Sequence, residues 1–98
     1  MFVITTTCAN AKDAKRMARS LLKKNLAACV NISKCDSLYV WKGKQVSGKE
    51  FVLSIKTSEK KLKPALAEIR KLHKYELPAI YWEKVEAEPK FGGWINSI

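Results

Sequence analysis

The side chains best suited to chemistry gather in one short stretch, HKYELPAI, from His73 to Ile80. His73 is the only histidine of the chain, and Glu76 follows it at i+3. Three thiols, Cys8, Cys29 and Cys35, lie elsewhere. Imidazole and thiolate together suit copper or zinc, and a carboxylate widens the choice of divalent cation. His73 and Glu76 are therefore candidate metal ligands, but two donors are too few for a selective site, so Cys29 or solvent has to complete it. A coordinating imidazole must be unprotonated, so binding should weaken below about pH 6. The same stretch also reads as a structural corner. A protonated histidine at a helix C-terminus is favoured by the dipole, and Glu76 has lysines to pair with. Pro78 keeps Leu77 extended, and Tyr75 and Leu77 offer apolar surface to bury at the turn.

Other chemistries find little support. No cysteine or serine sits in a nucleophile motif, and any dyad would have to recruit His73. There is no P-loop and no GxGxxG, and Gly92 and Gly93 lack the flanks of a phosphate cradle. Nothing argues for an enzyme. The 19 Lys and Arg against 9 Asp and Glu give a net charge of +10, an excess that attracts anionic partners. Yet Lys12, Arg16, Arg19 and Lys23 recur at helical spacing, as the solvated back of an amphipathic helix does. EFVLSIKT, Glu50 to Thr57, lacks the glycine and paired aromatics with which RNA-recognition sheets stack bases. Sequence-specific nucleic-acid binding is not expected, and any association should be electrostatic and fall with salt.

The elements that must position these residues follow from periodicity. FVITTT, Phe2 to Thr7, is β-branched and strand-like. Asn10 caps a helix whose apolar positions run from Ala11 to Leu22 and which ends near Lys24 or Asn25. From Ala28 to Trp41 the period is two: Ala28, Val30, Ile32, Leu38 and Val40 share one face, and Cys29, Tyr39 and Trp41 share the other. Lys34 and Asp36 interrupt the apolar alternation and predict a bulge or bend. KGK and SGK supply turn residues, and Glu50 to Thr57 is the returning strand. A second helix spans Leu62 to Leu72 with Pro64 in its first turn. Ala79 to Val85 reads as the last strand, and in FGGWINSI any helix must be short.

Strand, helix, strand, strand, helix, strand is the ferredoxin-like plan, an α+β fold with two helices on one face of a four-stranded antiparallel sheet. At 98 residues, with no linker or repeat, 1–98 reads as a single domain. The other sheet face is left uncovered and bears aromatics, which predicts an interface. Three cysteines without a CxxC pair form neither a secreted disulfide framework nor a four-ligand zinc site. No stretch approaches the roughly 20 apolar residues of a membrane span, and the N-terminus lacks a signal-peptide pattern, so the expected location is cytoplasmic.

Several motifs, in order, carry a family resemblance. They are the early Thr pair of the first strand, AACVNI (Ala27 to Ile32), SLYVWKGK (Ser37 to Lys44), and Glu50, Leu53, Lys56 and Thr57. The last is His73, Tyr75, Glu76, Pro78 and Ile80. The chain resembles the CutA family of divalent-cation tolerance proteins over nearly its whole length. The resemblance implies a homotrimer of ferredoxin-like subunits, packed sheet to sheet, and a non-catalytic role in tolerance to copper or other divalent ions. It implies as alternative a PII-like signalling module that senses a small anionic ligand in an intersubunit cleft, with Lys56, Tyr39 and Trp41 as cleft residues. Lys74 stands where the family has proline, which leaves His73 free to remain helical.

Overall fold

The computed structural model describes residues 1–98. Strand β1 (Phe2–Cys8) leads into helix α1 (Ala11–Lys23). Two long strands, β2 (Cys29–Trp41) and β3 (Lys44–Thr57), follow. Helix α2 (Leu62–Leu72), strand β4 (Ile80–Lys84) and helix α3 (Pro89–Asn96) complete the chain. The sheet order is β2-β3-β1-β4, with every neighbouring pair antiparallel. This is the expected ferredoxin-like sandwich, with α3 added where the sequence predicted only a short helix.

Local chemistry accounts for the ends of α1. The Asn10 side chain accepts a hydrogen bond of 2.8 Å from the Asp13 backbone N–H, which satisfies one of the donors a helix start leaves unpaired. At the other end Asn25 adopts φ 58°. Its N–H reaches the Leu22 carbonyl and that of Leu26 reaches the Leu21 carbonyl, the paired bonds of a Schellman close. Alternation then sets the core. Ile4, Thr6 and Cys8 of β1 and Leu53, Ile55 and Thr57 of β3 are buried beneath the helices. Ala14, Met17, Ala18 and Leu21 of α1 pack with Ala65, Leu66 and Ile69 of α2 above them. The intervening residues, among them Val3, Thr5, Ser54 and Lys56, lie on the open face.

Two sequence expectations need correction. No bulge interrupts β2 at Lys34 or Asp36, because the register with β3 runs unbroken from Cys29↔Lys56 to Trp41↔Lys44. Polar residues on an edge strand need not break pairing, since the ladder is made by the backbone; the Lys49 ammonium even holds Asp36 across the strands at 2.6 Å. The returning strand also begins at Lys44 rather than Glu50. The turn is Lys42–Gly43 alone, both with positive φ (52° and 78°), as in the type I′ hairpins that match strand twist. Gly48 pairs with Ser37 inside the ladder.

Pairing with β1 stops at Cys8↔Phe51. Beyond it, residues 35–50 continue as a two-stranded ribbon that projects from the body, and the molecule measures 44 × 24 × 20 Å. Leu38 and Val40 on one side of the ribbon are 80% and 70% exposed. Tyr39 and Trp41 on the other side are exposed too.

Candidate functional site

The segment from His73 to Ile80 crosses from α2 to β4, and His73 itself ends the helix. It is the C-cap, with extended backbone (φ −71°, ψ 134°). The expectation that Lys74 would leave it helical fails, because one local and one tertiary hydrogen bond hold the ring. The Tyr75 backbone N–H donates to Nδ1 at 3.2 Å, and Nε2 lies 3.1 Å from the Thr6 hydroxyl oxygen. With Nδ1 accepting, Nε2 carries the proton and donates to Thr6. Burial pushes the His73 pKa below its ordinary value, against the opposing pull of a backbone hydrogen bond at Thr7 and then of Asp13 and Glu50. The neutral ring is thus favoured, and both of its nitrogens are engaged.

Tyr75 extends this network to the other side of the sheet. Its ring lies 5.0 Å from that of His73, and its hydroxyl donates to Glu50 Oε2 at 2.8 Å. Glu50 sits just past the end of β1, opposite Cys35 at the root of the ribbon. Burial raises the Glu50 pKa, but hydrogen bonds from Ser37, Tyr75 and Thr7 outweigh it and hold the carboxyl below its usual range. The Tyr75 phenol is shifted strongly upward, first by burial and then by the carboxylate it serves. One corner therefore ties the α2–β4 connection to β1 and to the ribbon. A small cavity beside it is lined by Cys8, Asp13, Arg16 and His73, and burial raises the Cys8 thiol pKa there. Lys74 closes the outside, 3.1 Å from Asp13.

The candidate ligands do not converge within one chain. Glu76 is exposed, beyond the His73–Tyr75 turn. Cys29 lies on the open face beside Lys56, level with Val3, while His73 meets Thr6 on the helix side. No three His, Cys, Asp or Glu side chains are grouped as a metal cage requires, so a single chain does not fit a selective cation site. Leu77 is 70% exposed rather than buried, in the bend that runs from Tyr75 to Leu77. The cleft candidates are also spread out. Lys56 Nζ is held by Asn31 Oδ1 at 2.6 Å and Ser54 Oγ at 2.8 Å. Tyr39 and Trp41 pair with Val46 and Lys44, so at least ten residues of extended chain, about 33 Å, separate them from Lys56. They share its face of the sheet, so a common cleft needs a second copy. Thr6 and the Tyr75–Glu50 bond carry no local sequence signal, because their partners lie far along the chain.

The family model for CutA1 divalent ion tolerance protein matches residues 2–98. The divalent-cation tolerance protein CutA of Thermotoga maritima is 44% identical over 86 residues, covering 88% of this chain and 85% of that protein. Among solved structures, the periplasmic divalent cation tolerance protein CutA from Archaeoglobus fulgidus superposes with a TM-score of 0.93 at 33% identity, covering 99% of this chain and 97% of that one. The PII-like protein CutA from a Nostoc strain superposes with a TM-score of 0.92 at 28% identity, covering 99% and 95%.

Proposed function

Since the chain belongs to the CutA1 divalent ion tolerance family, we propose that it works as a non-catalytic homotrimer that responds to copper or another divalent cation held between its copies. The observation that carries this reading is the uncovered sheet face with its projecting ribbon. An isolated two-stranded ribbon is marginal in water. This one displays Leu38, Tyr39, Val40 and Trp41 to solvent, and a second copy offers it both hydrogen-bonding edges and apolar cover. Donors separated within one chain, such as Cys29 and His73, then have to meet from different subunits. Coordination by His73 requires it to give up the hydrogen bond that Nδ1 accepts or the one that Nε2 donates, so affinity is moderate. The three free thiols suit a reducing, cytoplasmic setting.

Copper titration of the wild type, His73→Ala and Cys29→Ser, each checked by light scattering, tests this. Loss of copper binding in either variant with the trimer intact supports the ligand reading. Unchanged binding with a loosened trimer makes these residues structural and sinks it.

A second reading rests on Lys56, whose ammonium is held on the open face by Asn31 and Ser54, and on the likeness to a PII-like protein. Here Lys56, with Tyr39 and Trp41 of a neighbouring copy, receives a small anionic ligand. Thermal-shift screens of divalent metals and of phosphorylated metabolites distinguish the two, because only the second reading predicts stabilisation by anions that Lys56→Ala abolishes.

A further inference from the structure

The charge of this protein is segregated. Residues 11–24 and 59–74, which hold α1, α2 and their flanks, contain twelve Lys and Arg, six in each segment, against three carboxylates, Asp13, Glu59 and Glu68. That layer therefore carries +9 of the chain's +10. The sheet, ribbon and tail hold seven cations and six carboxylates and are nearly neutral. Two of the layer's three carboxylates are already engaged. Glu68 is 2.8 Å from Lys24 and accepts from the Ser20 hydroxyl at 2.6 Å, and Asp13 is paired with Lys74. Lys12, Lys15, Arg19 and Lys23 along α1, with Arg70 and Lys71 on α2, are exposed and have no ion-pair partner.

The fold uses these cations little beyond placing Lys23, Arg70 and Lys71 in the last turns of their helices, where the dipole favours them. They bond to nothing in the chain, and their mutual repulsion costs stability. The helical layer of another copy cannot cover them, since it presents the same sign, whereas the nearly neutral sheet side is free to self-associate. We propose that the helical layer is a sequence-independent docking surface for the phosphate backbone of duplex nucleic acid. Helix α1, at 13 residues, is about 20 Å long, and such a length of duplex presents on the order of ten phosphates. All exposed aromatic residues lie outside α1 and α2. The layer therefore lacks both the stacking platform that single strands use and the aromatic anchors that amphipathic helices insert into membranes. Flexible cations without a groove-reading element position a phosphate backbone but read no bases. The proposal rests on charge layout and is independent of the metal reading.

Fluorescence anisotropy of full-length protein with labelled duplex DNA of three unrelated sequences tests it. The expected result is equal affinity for all three at about 50 mM salt, falling by roughly a hundredfold by about 200 mM, the slope of about four phosphate contacts. Arg19→Glu/Lys23→Glu should weaken binding at least about tenfold and flatten that slope by about two contacts. Lys84→Glu/Lys90→Glu, the same charge change on exposed residues outside the layer, should leave binding within about twofold. Equal losses in the two variants, no binding at the lower salt, preference for one duplex sequence, or binding to anionic phosphatidylserine vesicles in place of DNA would each overturn the proposal. Circular dichroism confirms that both variants are folded.

Discussion

At the residue scale, the corner is built on hydrogen bonds to one neutral imidazole and one ionised carboxylate, and its pH response follows from them. His73 is held below its ordinary value of 6.5, so as pH falls the unfolded chain takes up a proton before the folded one does. The corresponding stability is whole above pH 6.5 and declines below it, levelling off beneath the folded-state value. Glu50 is held below 4.5, so its contribution is present above that pH and is lost on further acidification. Thermal melts across this range should show an upper acid step from His73 and a lower one that Glu50 shares with Asp13 and Glu68, which hydrogen bonds from Lys74 and Lys24 also hold low. His73→Gln should remove the upper step and keep the lower; an unaltered profile would show that His73 is not the group responsible. Tyr75→Phe withdraws a donor from the Glu50 carboxylate and should cost about 1–3 kcal/mol in urea unfolding. It should also raise the pH of the lower step. Glu50→Gln, which keeps an acceptor for the phenol, should cost less than Tyr75→Phe.

At the scale of elements, three left-handed residues, Asn25, Lys42 and Gly43, set where chain segments reverse. Gly43 has φ 78° and open space where a Cβ would stand, so Gly43→Ala meets no clash and pays only the left-handed conformation, about 1–2 kcal/mol. Because that turn closes the ribbon, hydrogen exchange should quicken in residues 35–50 while the β1–β3 ladder stays protected. Uniform quickening through the sheet would mean that the ribbon and body open as one unit. Asn25, at φ 58°, closes α1. Asn25→Gly should be neutral or stabilising, and Asn25→Val should destabilise by about 1 kcal/mol or more, read from the urea midpoint.

For the whole molecule, only 18 of 98 residues are buried in one chain, too few to hide the apolar side chains of the ribbon. If copies cover it, Leu38→Asp/Val40→Asp should shift light-scattering mass from three chains towards one at micromolar concentration, while far-ultraviolet dichroism persists in the body. A wild-type protein that is monomeric under those conditions would remove the basis for a shared site. The charge layer points the same way: with +9 on the helices, association through the sheet side keeps like charges apart.

Element order, the open sheet face, the Asn10 cap and the family were legible in the chain, because each depends on short-range periodicity or on motifs with fixed spacing. The length of the ribbon was not. Polar Lys34 and Asp36 look like a break in an apolar pattern, yet backbone pairing is indifferent to side-chain polarity on an exposed edge. Nor was the state of His73 legible. Local chemistry left it free to be helical and to bind metal, whereas Thr6, 67 positions away, and the Tyr75 N–H decide its conformation and its tautomer. The segregation of charge belongs to the tertiary structure as well. Composition supplies +10, but only the packing of α1 against α2 on one side of the sheet gathers nearly all of it onto a single face.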